Sequence, residues 1–262
     1  MLSPTTMRAL PRGVPVLARP DGRFLVGSTP RSAVVQSAPP APPLEAGPPS
    51  DEADAWAAYD RTGSPDRLTG RGRASVAVVG SAQTADVLLE VLAAAGVGRL
   101  ACDRPEAVPA RVRRTGNPAD SGPADVVVLL DEHTARPVAA DGLLADGVVH
   151  LSVVVRDTDA LIGPLVLPGR SACLRCVDRW RTDADPCWPA TRDGLSRGPR
   201  RPTDAATAHA VAGLAALQVL SHLDGVPATT VGVSLELLLP EGRVRARGWA
   251  PHPGCGCVDL PL

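Results

Sequence analysis

The stretch Gly163–Pro189, GPLVLPGRSACLRCVDRWRTDADPCWP, carries the reading of this chain. Its first part belongs to an apolar run, Leu161 to Leu167, that predicts a buried strand. Cys173-x-x-Cys176 then stands where a helix begins. Taken alone, such a pair serves equally well as a redox dithiol. A second pair, Cys255-x-Cys257 in HPGCGC, changes the balance. Four thiolates in two pairs can close a tetrahedral shell around zinc, and closed all-sulfur shells are structural. Gly256 lets the backbone bend so that both later sulfurs face one point. The expected ligands of a structural zinc clamp are therefore Cys173, Cys176, Cys255 and Cys257, with a redox dithiol or plain buried cysteines as the alternatives. The clamp would close a loop of about 80 residues and turn metal-binding energy into folding energy.

Composition narrows the function classes. A chain of 262 residues with 44% hydrophobic content can bury a large domain and still carry an appendage. One Phe and one Tyr give no platform for stacking bases. The net charge of -1 gives no general pull toward phosphate backbones or membranes, so neither nucleic acid nor a membrane is expected as a partner. All 27 basic residues are arginine. Without lysine there is no P-loop lysine, no Schiff base and no lysine general base. No basic segment followed by an apolar run opens the sequence, and no stretch approaches the length of a membrane span. A cytoplasmic protein is expected.

Residues 1–37 predict a small β unit, with Val14 to Ala18 and Arg23 to Val26 flanking the turn signal Asp21-Gly22 and Ser32 to Gln36 adding a strand. Residues 38–73 follow as a linker region. APPAPPLEAGPP is too proline-rich to pack, a short helix is expected over Asp51 to Tyr59, and a Gly/Arg-rich turn over Thr69 to Arg73. Residues 74–262 form the main domain. Strands at Ser75 to Val79, Val97 to Cys102, Asp125 to Leu130 and Val148 to Val155 alternate with helices at Thr84 to Ala95 and Val138 to Ala145. That alternation predicts an α/β fold, Rossmann-like and doubly wound, with a mostly parallel sheet. A long helix, Asp204 to Leu223, follows a loop at Ser196 to Pro202. Its alanines and Gly213 suit close packing, either inside the domain or across a homodimer. Thr230 to Leu239 and Arg243 to Trp249 predict a closing hairpin around Pro240-Glu241-Gly242.

In such a sheet a Gly-rich turn after the first strand brings backbone N–H groups against phosphate. Here the turn is Gly80-Ser81-Ala82-Gln83-Thr84-Ala85. Gly80 keeps the first glycine, whereas Ala82 puts a Cβ where the backbone approaches pyrophosphate. Asp103 stands at the distance expected of a carboxylate for a ribose hydroxyl, with a solvated turn residue as the equal alternative.

Taken together, VAVVGSAQTADVLLEVLAAAGVGRL, DVVVLLDEHTAR, GPLVLPG, CLRC and the late thiol pair resemble the ThiF/MoeB superfamily of ubiquitin-like-modifier-activating proteins. Within it, GPLVLPGRSACLRCVDRWRTDADPCWP and HPGCGC look closest to actinobacterial ThiF-like proteins of azole-peptide biosynthesis, which bind a precursor's leader peptide and serve a YcaO-type cyclodehydratase. The resemblance covers roughly residues 74 to 258. It implies a partner that is a precursor peptide or a YcaO-type enzyme, and an N-terminal peptide clamp, of which residues 1–70 supply a hairpin. Active members use ATP and magnesium to adenylate a C-terminal glycine. Their acidic position corresponds to Asp131 and a nearby basic one to Arg136. The asparagine beside the aspartate is Glu132 here, the ATP-contacting lysine is missing, and the segment between Asp103 and Asp125 is shorter. Losing positive charge at a phosphoryl site argues against adenylation, and hence against ATP as a cofactor.

Other chemistry-bearing residues have plainer readings. Cys187 is an acceptor-thiol candidate, though a cysteine packed beside Trp188 is the preferred reading. Cys102 reads as core. His252 reads as a cap or as a contact to the thiol cluster. His150, His209 and His222 pair with no nucleophile, and Asp178, Asp183 and Asp185 read as a solvated helix face. The sequence favours a non-catalytic peptide- or partner-binding protein. The alternative is an adenylyltransferase using Asp103, Asp131, Arg136 and Cys187. A dinucleotide oxidoreductase ranks third.

Overall fold

The computed structural model describes residues 15–28, 33–40, 66–80, 82–103, 113–114, 124–199 and 202–258. The helix expected over Asp51 to Tyr59 and most of the proline-rich segment lie outside them. The chain divides into two compact units, Met1–Thr69 and Gly70–Leu262.

In the first unit, β1 (Val16–Ala18), β2 (Phe24–Val26) and β3 (Val34–Gln36) form an antiparallel sheet in that order. The turn between β1 and β2 is built on Asp21. Its carboxylate accepts from the Arg23 side chain at 2.7 Å and from the Arg23 N–H at 3.2 Å, while Gly22 supplies a φ of 77°. Val26 is buried, whereas Val16, Leu17, Val34 and Val35 are exposed.

The second unit begins within α1 (Asp66–Arg73) and contains β4 (Ser75–Gly80), α2 (Ala82–Ala94), β5 (Arg99–Cys102), β6 (Arg113–Arg114) and β7 (Val126–Glu132). It continues with α3 (Pro137–Ala145), β8 (His150–Val155), β9 (Asp159–Val166), α4 (Leu174–Ala184) and α5 (Trp188–Ser196). It closes with α6 (Ala205–Leu223), β10 (Val233–Leu238) and β11 (Arg243–Gly248). All its strands join one eight-stranded sheet of order β11-β10-β9-β8-β7-β4-β5-β6.

From β6 to β8 every pairing is parallel, and from β8 to β11 every pairing is antiparallel. The sheet is therefore mixed, and the mostly parallel expectation holds for one half. The reason lies in the link between β8 and β9. A parallel crossover needs a dozen or more residues. Here Arg156 to Thr158 alone intervene, and the Arg156 side chain binds Asp159 at 2.5 and 2.6 Å across the turn.

The parallel strands are buried runs such as Val76, Val78, Val126 and Val128, each at 0% exposure, as strands covered on both faces require. On one face Ala77, Ala101, Val127 and Leu129 pack with Ala140 of α3 and Leu174 of α4. α6 lies against α2, β8 and β9. By length and composition α6 matches a membrane span, but half of it is buried inside the fold, as a core helix requires. Asp204 caps it by accepting from the Thr207 N–H at 3.0 Å.

The expected turn at Thr69 to Arg73 is instead the end of α1. Two glycines weaken a helix by roughly 1 kcal/mol each relative to alanine. Arg71 offsets this by tertiary bonding: it is 1% exposed, it grips both carboxylate oxygens of Asp224 at the end of α6, and it donates to the Ala95 carbonyl at 3.2 Å.

Candidate functional site

The four cysteines converge. Their sulfurs all lie within 4.8 Å of one another, and Cys173, Cys176 and Cys257 are buried. Cys173 to Cys255 is 3.6 Å, Cys173 to Cys176 is 3.8 Å and Cys176 to Cys257 is 3.3 Å. Zinc–sulfur bonds of about 2.3 Å would put tetrahedral sulfurs about 3.8 Å apart. The set is thus placed to hold a metal ion. β9 and the short turn after it deliver Cys173 to the start of α4. Gly256, at a φ of 70°, makes the bend that the sequence implied.

The surroundings favour thiolate unevenly. The His252 backbone N–H points at the Cys176 sulfur at 3.2 Å, the contact type expected of His252. Burial opposes the Cys176 charge, yet this N–H and the neighbouring thiols bring its pKa below the usual thiol value. Burial, aided by the Cys173 contact, pushes Cys255 up to about 11 and pushes Cys257 up as well. The His252 ring is held by Asp183 at 2.9 Å and by the Gly254 N–H at 3.0 Å, with Trp180 edge-on at 4.7 Å between ring centres.

The nucleotide residues meet at the C-terminal ends of β4 and β7. Gly80 has a φ of 118°, and a Cβ there would stand 1.9 Å from the Leu130 carbonyl oxygen, so close strand packing itself demands this glycine. Its N–H donates to Asp103 at 3.2 Å. Asp131 is 5% exposed, and both its oxygens are engaged by Arg136: Nε at 2.7 Å on one, the backbone N–H at 3.2 Å on the other. Leu195, Ser196 and Gly198 close over the crevice from the end of α5, leaving about 110 Å³ among the described residues. Small-molecule pockets commonly measure about 300–1,000 Å³. His133 fixes this cover. It adopts a left-handed φ of 64°, and its Nε2 lies 3.0 Å from the Pro199 carbonyl oxygen. The reading of Ser196 to Pro202 as a loop missed α5 before it, although Pro189 in the first turn was a helix-start signal.

Of the remaining residues, His150 lines a small cavity together with Cys173, and Trp249 packs against the cysteine cluster. Cys102 is core. Cys187 is exposed, correcting its expected packing beside Trp188. The Trp188 Nε1–H donates to Asp178 at 2.7 Å, and Arg192 binds the same carboxylate, so Asp178 is not part of a solvated face. His150 is fully buried. Its Nδ1 lies 2.9 Å from the Val148 carbonyl oxygen, its Nε2 meets no partner, and burial lowers its pKa. Sequence reasoning overlooked Arg181, whose guanidinium lies over Trp188 at 4.8 Å and Trp249 at 5.8 Å.

Comparison with solved structures matches this layout. The E. coli protein MccB, crystallised with AMPCPP and MccA, superposes with a TM-score of 0.70 at 13% identity, covering 96% of this chain and 99% of that one. The fold is that of MccB. The structure of the microcin C7 biosynthetic enzyme MccB in complex with N-formylated MccA gives a TM-score of 0.66 at 13% identity, with 95% and 99% coverage. PaaA gives 0.58 at 14% identity over 75% of this chain and 80% of that one. No protein-family model matches the chain, and no curated protein sequence does. The MccB likeness spans nearly the whole chain, so it takes in the three-stranded N-terminal unit.

Proposed function

We propose that this chain is a ThiF-like protein of peptide-modification biosynthesis that binds a precursor peptide or a partner enzyme, such as a YcaO-type cyclodehydratase, without adenylating it. One observation carries the proposal: the Asp131 carboxylate, the position matching the magnesium-handling acid of active relatives, is buried and accepts a bond from Arg136 on each of its oxygens. A magnesium ion would have to break that pair in a crevice where no lysine stands to replace the charge. Zinc is the metal that an all-sulfur, mostly buried shell of this size suits best, and its role is to fasten residues 173–176 to residues 255–257.

The second reading, an ATP-dependent adenylyltransferase for a carrier protein or peptide, draws on MccB structures containing ATP and AMPCPP. ATP–pyrophosphate exchange with purified protein and candidate peptides or carriers separates the two. The binding reading expects no exchange above a no-protein blank, and robust exchange lost in Asp131→Asn would overturn it.

A further inference from the structure

The far end of the sheet carries a charge pattern that neither the crevice nor the thiol cluster uses. β11 is the terminal strand, paired to β10 along all six of its residues, and its other edge meets no described strand. Arg243, Arg245 and Arg247 alternate along it. They stand opposite Leu238, Glu236 and Ser234, so all three share one face. Trp249 continues that face, donating its Nε1–H to Ser234 at 2.9 Å, and Arg247 lies over its ring at 4.5 Å. Arg181 reaches the same ring from α4.

Two carboxylates nearby are already engaged. Asp159 is taken by Arg156, and Asp178 by Arg192 and Trp188. Among the described residues, Arg181, Arg243, Arg245 and Arg247 have no ion-pair partner within 4 Å, and the carboxylates left beside them are Glu236 on β10 and Glu241 in the β10–β11 turn. Burial, then Arg156 and Arg247, lowers the Arg181 pKa to about 10, a sign of crowded positive charge. A chain of net charge -1 thus gathers three arginines on one face of β11 and a fourth over that face from α4, against two carboxylates. Charged edges do keep sheets from pairing with one another, which accounts for the ladder but not for Arg181.

We propose that the β11 edge binds an extended acidic segment of a partner polypeptide as an added strand, with carboxylates on alternate residues over Arg243, Arg245 and Arg247. The spacing fits: alternate strand residues lie about 6.7 Å apart on both sides of such a pairing. The open backbone edge supplies N–H and C=O partners that select a peptide over other polyanions. This deepens the partner-binding reading by naming a partner chemistry and a surface in the second unit.

The test uses the full chain and a fluorescein-labelled octapeptide of alternating Thr and Glu, followed by anisotropy at low and high salt. The expected result is binding about tenfold tighter than for the Thr-Gln octapeptide, and about tenfold weaker in R243Q/R245Q/R247Q. N-methylation of alternate peptide nitrogens on one edge abolishes binding. Far-ultraviolet circular dichroism and metal content show that the triple variant is folded. Equal affinity for the Thr-Gln peptide, an unaffected triple variant or indifference to N-methylation overturns the proposal. Displacement of the peptide by an oligothymidylate that binds more tightly also overturns it. Failure here with silent ATP–pyrophosphate exchange removes this surface alone, whereas exchange removes the non-catalytic reading whatever the peptide does.

Discussion

Replacing Cys257 by serine tests the metal fastening where its effect is largest. Cys257 is 1% exposed and sits 3.3 Å from Cys176, so its sulfur is part of the buried half of the cluster. Cross-linking positions about 80 residues apart removes about 4.5 kcal/mol of entropy from the unfolded chain in the loop-closure treatment. A domain of this size shifts its melting temperature by about 2–4 °C per kcal/mol, so losing the link lowers it by about 9–18 °C. Differential scanning calorimetry of wild type, chelator-treated wild type and C257S supplies the measurement, with metal content by mass spectrometry alongside. The wild type should carry one zinc per chain, and C257S and the stripped protein should melt at similar, lower temperatures. A wild type without metal, or a C257S shift below about 3 °C, would show that packing alone holds the two segments together.

Further outcomes follow from features of the second unit. Arg71→Met leaves the Asp224 carboxylate buried and alone, and should cost about 3–5 kcal/mol in urea unfolding; a loss below 1 kcal/mol refutes the ion pair's role. Gly80→Ala forces a Cβ against the Leu130 carbonyl in a left-handed backbone region, and should destabilise by about 2 kcal/mol or more by the same assay. Burial favours the neutral His150 ring, so in acid the folded protein binds fewer protons than the unfolded chain. Stability should therefore hold above the ring's ordinary pKa of 6.5 and fall as pH drops below it, with a shallower fall in His150→Met; identical pH profiles for the two proteins refute this.

Much of this fold could be read from local pattern. Val76 to Val79 and Val126 to Leu130 are unbroken apolar runs bounded by turn residues, and each became a buried parallel strand. The two thiol pairs were legible because a second close pair tips a redox-like spacing toward a metal shell, and the four sulfurs converge. Strand direction was harder to see, because it depends on linker length rather than on strand composition. Asp157-Thr158 between Arg156 and Asp159 decides it for β9. The crevice was half visible. Asp131 and Arg136 stood out as a pair, but nothing local revealed that they would bind each other or that Leu195 to Gly198 would lie over them. Arg181 was missed for the same reason, since its meaning comes from Trp249 and Arg247, far away in sequence.

The distance between the two thiol pairs also sets a clock for biosynthesis. At about 5–20 residues per second, a ribosome needs roughly 4–16 s to travel from Cys176 to Cys257. Throughout that interval the first pair waits on a nascent polypeptide with no second pair to meet. Any metal that needs all four sulfurs can therefore be held only once Cys255 and Cys257 have been made, close to the end of synthesis.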